Sequence, residues 1–169
     1  MGVLVVSLRP AIADPFPGTS DGRRADGTTH VYCYDNTVTI TSAPSFGITN
    51  IDAQSDMVRS YSSTCYSSTD VVFHEADLPG TVRGSRVCTK AISSTICDSS
   101  RVTFDYAQID IGANDTEDRQ KTACHEVGHS AGLGHASTDC MVSGEIPDTS
   151  LTWRTYREHS VVDHLNPTY

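Results

Sequence analysis

No apolar run in this chain approaches the roughly 18–20 residues that a membrane-spanning helix requires, so a bilayer anchor is not expected. Basic charge is also scarce. Twelve Lys and Arg stand against 21 Asp and Glu, a formal charge of −9, and such a surface repels the phosphates of nucleic acid. The cysteines never occur as CxxC, which argues against a thiolate zinc cluster, and there is no internal repeat. What remains is a chain of 169 residues, 37% hydrophobic and 20% charged, sized for one domain. Residues 1–25 are expected to be a signal-peptide remnant or flexible leader, and residues 26–169 a single, monomeric domain.

Two features point outside the cell. Gly2 to Leu8 is a short apolar run, and Ala11-Ile12-Ala13 has the small-x-small form of a signal-peptidase site, although no basic stretch precedes the run and Arg9 follows it. Pro15 to Thr29 is rich in Gly and Pro and reads as a mobile leader. The six cysteines make an even count, as an oxidising compartment favours. Six cysteines allow fifteen pairings, so sequence does not determine connectivity. The expected set is Cys33–Cys65, Cys88–Cys97 and Cys124–Cys140.

The chemistry is concentrated in His125-Glu126-Val127-Gly128-His129-Ser130-Ala131-Gly132-Leu133-Gly134-His135. On a helix, His125 and His129 lie one turn apart on one face, so both imidazoles can reach one metal. Glu126 lies about 100° round the helix, wrong for a third ligand but right for holding a water molecule beside the metal. On a continued helix His135 would be roughly 15 Å from His125 along the axis. Gly132 removes that difficulty, because glycine takes the left-handed conformation that ends a helix and turns the chain back. Three imidazoles leave one position of a zinc tetrahedron open, the pattern of catalytic rather than structural sites.

Six residues after His135 comes Met141, in Asp139-Cys140-Met141-Val142-Ser143-Gly144. With HExxHxxGxxH, this methionine resembles the metzincin clan of zinc metallopeptidases, and the stretch from Val127 to His135 is most similar to the matrixins. The departures are a short interval before Met141, no tyrosine soon after it, and no visible cysteine-switch propeptide. The resemblance implies an α+β zincin domain: a twisted mixed sheet, a zinc-binding active-site helix, a Met-turn at Met141 and a C-terminal helix. It also implies an antiparallel edge strand to which substrate adds as a further strand, best matched by Gly84 to Thr89 and including Val87. The residues after the Met-turn would wall the pocket on the leaving-group side. There Val142 and Ile146 suggest an apolar pocket, with Glu145 facing solvent.

Periodicity places strands over His30–Thr41, Asp70–His74, Thr81–Lys90 and Val102–Ile109. Helices are expected over Asn50–Ser62, from the Asn114-Asp115-Thr116-Glu117 cap to about Ala131, and over Thr155–Leu165, burying Val161, Val162 and Leu165. Asp105, Asp110, Asp115 and Asp118 could include a Ca²⁺ site, although capping and solvation explain them more simply. His30, His74, His159 and His164 have no ligand spacing.

The functional expectation is a secreted zinc endopeptidase acting on peptide or protein substrates, with His125, His129 and His135 as ligands and Glu126 as general acid and base. A catalytically silent zinc-binding module and a zinc amidohydrolase acting on a non-peptide amide stay open.

Overall fold

The computed structural model describes residues 16–158 and 160–169. The apolar run from Gly2 to Leu8, the Ala11–Ala13 site and His159 lie outside them. The fold is α+β. In chain order its elements are β1 (Arg24–Ala25), β2 (Thr29–Tyr34), α1 (Ser42–Gln54), β3 (Val58–Tyr61), β4 (Val71–Glu75), β5 (Gly84–Ala91), β6 (Ile96–Phe104), the short α2 (Tyr106–Ile109) and α3 (Asp115–Ala131). The strands form one sheet, ordered β1-β6-β4-β2-β3, with β5 on β6. Every pairing is parallel except β5–β6, which is antiparallel.

Alternation sets the core face. The register Val71↔Ser100, Phe73↔Val102 and Tyr32↔Val71 puts these side chains on one side of the sheet, and all five are buried. Ile48 and Ile51 of α1 and Ala123 and Val127 of α3 complete the same core. A row of rings, Tyr34, Phe73, Phe104 and Tyr106, runs across this face with successive centroids 5.7–6.0 Å apart. The aromatic offset stacking adds to the area they bury.

Four expectations need correction. The first strand ends at Tyr34 instead of running to Thr41, because Asp35 accepts the Thr37 N–H in a turn. The first helix is Ser42–Gln54, not Asn50–Ser62. Its buried residues are Ala43, Pro44, Gly47, Ile48 and Ile51, mostly small, so its apolar stripe is faint in sequence. Val58 and Tyr61 belong to β3, where all four residues are exposed. The last strand spans Ile96–Phe104, and its continuation to Ile109 is the turn of helix α2, which Asp105 caps by accepting from the Gln108 N–H. The closing helix over Thr155–Leu165 is reduced to a 3₁₀ turn at Leu151–Arg154 and a six-residue π-type turn at Ser160–Leu165. Val161 and Leu165 are buried there, whereas Val162 is half exposed.

The segment expected to be a mobile leader is, from Phe16 onward, packed into the fold. The Gly18 N–H donates to the Gly132 carbonyl at 2.9 Å, and β1 extends the sheet beside β6. Both oxygens of the Asp21 carboxylate accept from Arg86 Nη1 at 2.9 Å. That guanidinium has only 3% of its side chain exposed. A buried arginine requires a carboxylate partner, and Asp21 is the one that supplies it.

The expected disulfides are present: Cys33–Cys65, Cys88–Cys97 and Cys124–Cys140. No cysteine is free, which fits an oxidising, extracellular setting. Among the described residues, no helix is long and apolar enough to cross a membrane.

Candidate metal centre

Helix α3 begins with Asp115, Glu117 and Asp118 in its first turn, where carboxylates favour the positive end of the helix dipole. The Asn114 side chain makes no cap bond. At the other end Gly132 adopts φ 107°, ψ 1°, and the Leu133 N–H reaches back to the Gly128 carbonyl at 2.9 Å. This is a Schellman-type stop, and it reverses the chain so that His135 returns to the helix face. The ring centroids of His125, His129 and His135 lie 4.5, 5.1 and 5.0 Å apart pairwise.

The tautomers follow from the partners. His125 Nδ1 lies 2.9 Å from the Cys140 carbonyl, and His129 Nδ1 lies 2.7 Å from the Leu133 carbonyl. A carbonyl only accepts, so each Nδ1 carries the proton and each Nε2 presents a lone pair. Those two Nε2 atoms face one another at 3.0 Å. Two lone pairs at that separation repel unless a cation lies between them. Zn–N bonds of about 2.0–2.1 Å in a tetrahedron put neighbouring nitrogens about 3.3 Å apart, so this pair fits a first-row metal. The ligand atoms of all three histidines lie within 4.8 Å of one another. Burial pushes His125 well below its ordinary range and His129 down to about 4, which keeps both imidazoles neutral and able to ligate.

Met141 lies directly beneath. It is fully buried, and its N–H donates to Asp139 Oδ1 at 2.8 Å. A Cβ at Gly128 would fall 2.4 Å from Met141 Sδ, so a glycine in mid-helix is what admits the methionine. The Cys124–Cys140 bridge and the His125–Cys140 hydrogen bond fasten the same turn to the helix. Tyr156 also packs under the helix. Its hydroxyl donates to the Cys124 carbonyl at 2.7 Å, away from the cleft.

Glu126 is buried to 6% exposure and lines the same cleft of about 760 Å³ as the three histidines. Burial pushes its carboxyl up to about 8, against the pull of Lys121 and Arg86. β5 crosses close above it. A Cβ at Gly84 would meet Glu126 Cγ and Oε1 and Thr122 Cγ2, each at 2.8 Å. β5 pairs only with β6, so its other edge is unpaired among the described residues. The Asp105 N–H donates to the Arg83 carbonyl at 3.0 Å. Antiparallel alternation then turns the backbone groups of Ser85 and Val87 toward β6, and those of Gly84, Arg86 and Cys88 toward the free edge.

Val87 lies on β5, where the edge strand was expected, with its side chain 57% exposed and outside the cleft. The pocket residues anticipated from sequence are placed differently: Ile146 is only 3% exposed and does not line the cleft. Val142 does not line it either: Ser143, Gly144 and Glu145 do. Lys121, which carried no signal in the sequence, is buried beside them. Its Nζ donates to the Val142 carbonyl and, at 2.8 Å, to the Gly144 carbonyl.

The acidic residues considered for calcium do not converge. Asp105 caps α2 and accepts the Leu78 N–H, and Asp110 pairs with Arg119. Among the described residues the histidine trio is the one group of three or more potential ligands drawn together. His74 is held by Asp35 and Thr37, His164 stacks on Phe16, and His30 is buried on the sheet. No protein-family model matches this chain, and no curated protein matches it.

Proposed function

We propose that this protein is a secreted zinc endopeptidase of metzincin type, resembling the matrixins. The observation that carries the reading is the arrangement of two Nε2 lone pairs facing each other at 3.0 Å, with His135 beside them and the Glu126 carboxyl in the same cleft. His125, His129 and His135 would hold the zinc. When bound, zinc lowers the pKa of water and polarises a carbonyl. Glu126 takes a proton from the attacking water and delivers it to the departing amine. Amine departure requires that delivery, so a metal site without Glu126 would bind but not turn over.

The free edge of β5 supports a peptide substrate. Gly84, Arg86 and Cys88 offer the backbone groups that an added strand would take. Such a strand, running antiparallel to β5, would have its N-terminal part near Arg86 and its C-terminal part near Arg83. Peptidase activity on casein that a chelator abolishes and zinc restores tests the reading. Glu126→Gln should retain one zinc per chain while kcat falls at least about 100-fold. Activity within a few-fold of wild type would remove Glu126 from the chemistry. Zinc binding without hydrolysis of any peptide in a mixed library would favour a silent module or a non-peptide amide substrate.

A further inference from the structure

Two cationic side chains meet at one end of the cleft. Arg83, just before β5, and Lys121, one turn before His125, converge there on Ser143, Gly144 and Glu145. Lys121 is only 4% exposed. Two of its three donors are used on the carbonyls of Val142 and Gly144, which places its ammonium where an apolar pocket would need open hydrocarbon space. Of the acids around Lys121, Asp118 accepts the Ile146 N–H and Asp139 accepts from Met141 and Arg157. Glu126 belongs to the chemistry. Glu145 is different: it sits at the rim, 45% exposed, with its carboxylate 3.1 Å from Arg83 Nη2. A carboxylate thus already occupies the guanidinium that faces this pocket, held by an exposed side chain that gives little energy to the pair.

We propose that this end of the cleft is a carboxylate pocket that receives an Asp or Glu side chain on the residue following the scissile bond. Arg83 and Lys121 are its cationic walls, and Glu145 is an internal stand-in that the substrate displaces. The assignment to the leaving-group side rests on the peptidase reading, through the antiparallel direction of a strand added to β5. The chemistry of the pocket does not. Long apolar side chains, expected from Val142 and Ile146, are disfavoured because they would cover the remaining Lys121 donor without giving it an acceptor.

Binding of two peptide hydroxamates to the zinc-loaded full chain, measured by calorimetry, tests this without turnover. Both are amidated at the C terminus and differ only in the side chain next to the zinc-binding group, carboxymethyl or isobutyl. Wild type should bind the carboxymethyl probe about tenfold or more tightly, the scale of one charge-assisted contact. Lys121→Met and the rim variant Arg83→Gln should each reduce that ratio severalfold, and Glu145→Gln should raise it. A wild-type ratio at or below one overturns the proposal. So does a ratio that survives in both Lys121→Met and Arg83→Gln, or one that falls in Glu145→Gln. Loss of the peptidase reading alone would show as an intact probe preference in a protein that cleaves no peptide.

Discussion

Replacing Gly128 by alanine puts one methyl group where Met141 now lies. In an ordinary helix interior this substitution stabilises by about 1 kcal/mol, because glycine loses more backbone freedom on folding. Here the new Cβ would fall 2.4 Å from Met141 Sδ, 3.1 Å from its Cε and 3.0 Å from Tyr156 Cε1. Met141 is 0% exposed, so its sulfur has no free volume to enter. Overpacking of this kind costs about 2–3 kcal/mol, for a net loss of about 1–2 kcal/mol. At about 2–4 °C per kcal/mol for a chain of this size, Tm should fall by roughly 2–8 °C. Met141→Ala alone should cost about 2–5 kcal/mol through the cavity it leaves. In that background Gly128→Ala becomes neutral or stabilising by up to about 1 kcal/mol, since Tyr156 must yield only a few tenths of an ångström. The four proteins form a double-mutant cycle with a coupling of about 1–3 kcal/mol. Urea unfolding in the presence of chelator reads it free of metal linkage. Additivity within about 0.5 kcal/mol would show that Gly128 is not there for Met141.

Gly84→Ala should leave zinc content unchanged but lower peptidase activity by about 10–100-fold, because β5 must lift or Glu126 must swing aside; wild-type kcat/KM would show that the strand and the carboxyl are not in register for chemistry. Acid should destabilise the protein through His30, whose burial pushes it down to about 4. Below about pH 6.5 the unfolded chain takes up a proton that the folded state refuses, so His30 contributes a loss of stability that grows as pH falls toward 4 and is absent above 7. The expected loss is about 3 kcal/mol by pH 4. His125 and His129 shift the same way, so the comparison of wild type with His30→Gln isolates it, and identical pH slopes would refute it.

The site was legible in the sequence because its spacing is local. His125, Glu126 and His129 fall on one helix, and Gly132 performs the turn that its chemistry suggested. The strand at β4 was equally plain, a short run of β-branched and aromatic residues, whereas β5, with only Val87 and Thr89 of that kind, gave a weaker signal. Legibility failed where contacts are long-range. The stripe of α1 contains Ala43 and Gly47 rather than large apolar residues, and only its packing against α3 makes it a helix face. The burial of Ile146 and the inward turn of Lys121 depend on the segment after Met141 lying against the start of α3, which no periodicity encodes. Asp21 looked like part of a polar leader because its partner, Arg86, lies 65 positions away.

The bond between Cys124 and Cys140 has a topological consequence. Residues 124–140 become a macrocycle, and His125, Glu126, His129 and His135 all lie within its circumference. A single peptide-bond break between Cys124 and Cys140, such as one near exposed Ser137 and Thr138, opens the ring without releasing any of the three histidines. The fragments stay joined through sulfur, and a break beyond His135 leaves the ligand set on one continuous piece. A nick at this site would therefore be silent until a reductant arrives. Non-reducing electrophoresis would show an intact chain where reducing electrophoresis shows two fragments, and the redox state of the surroundings would then set the lifetime of the nicked protein.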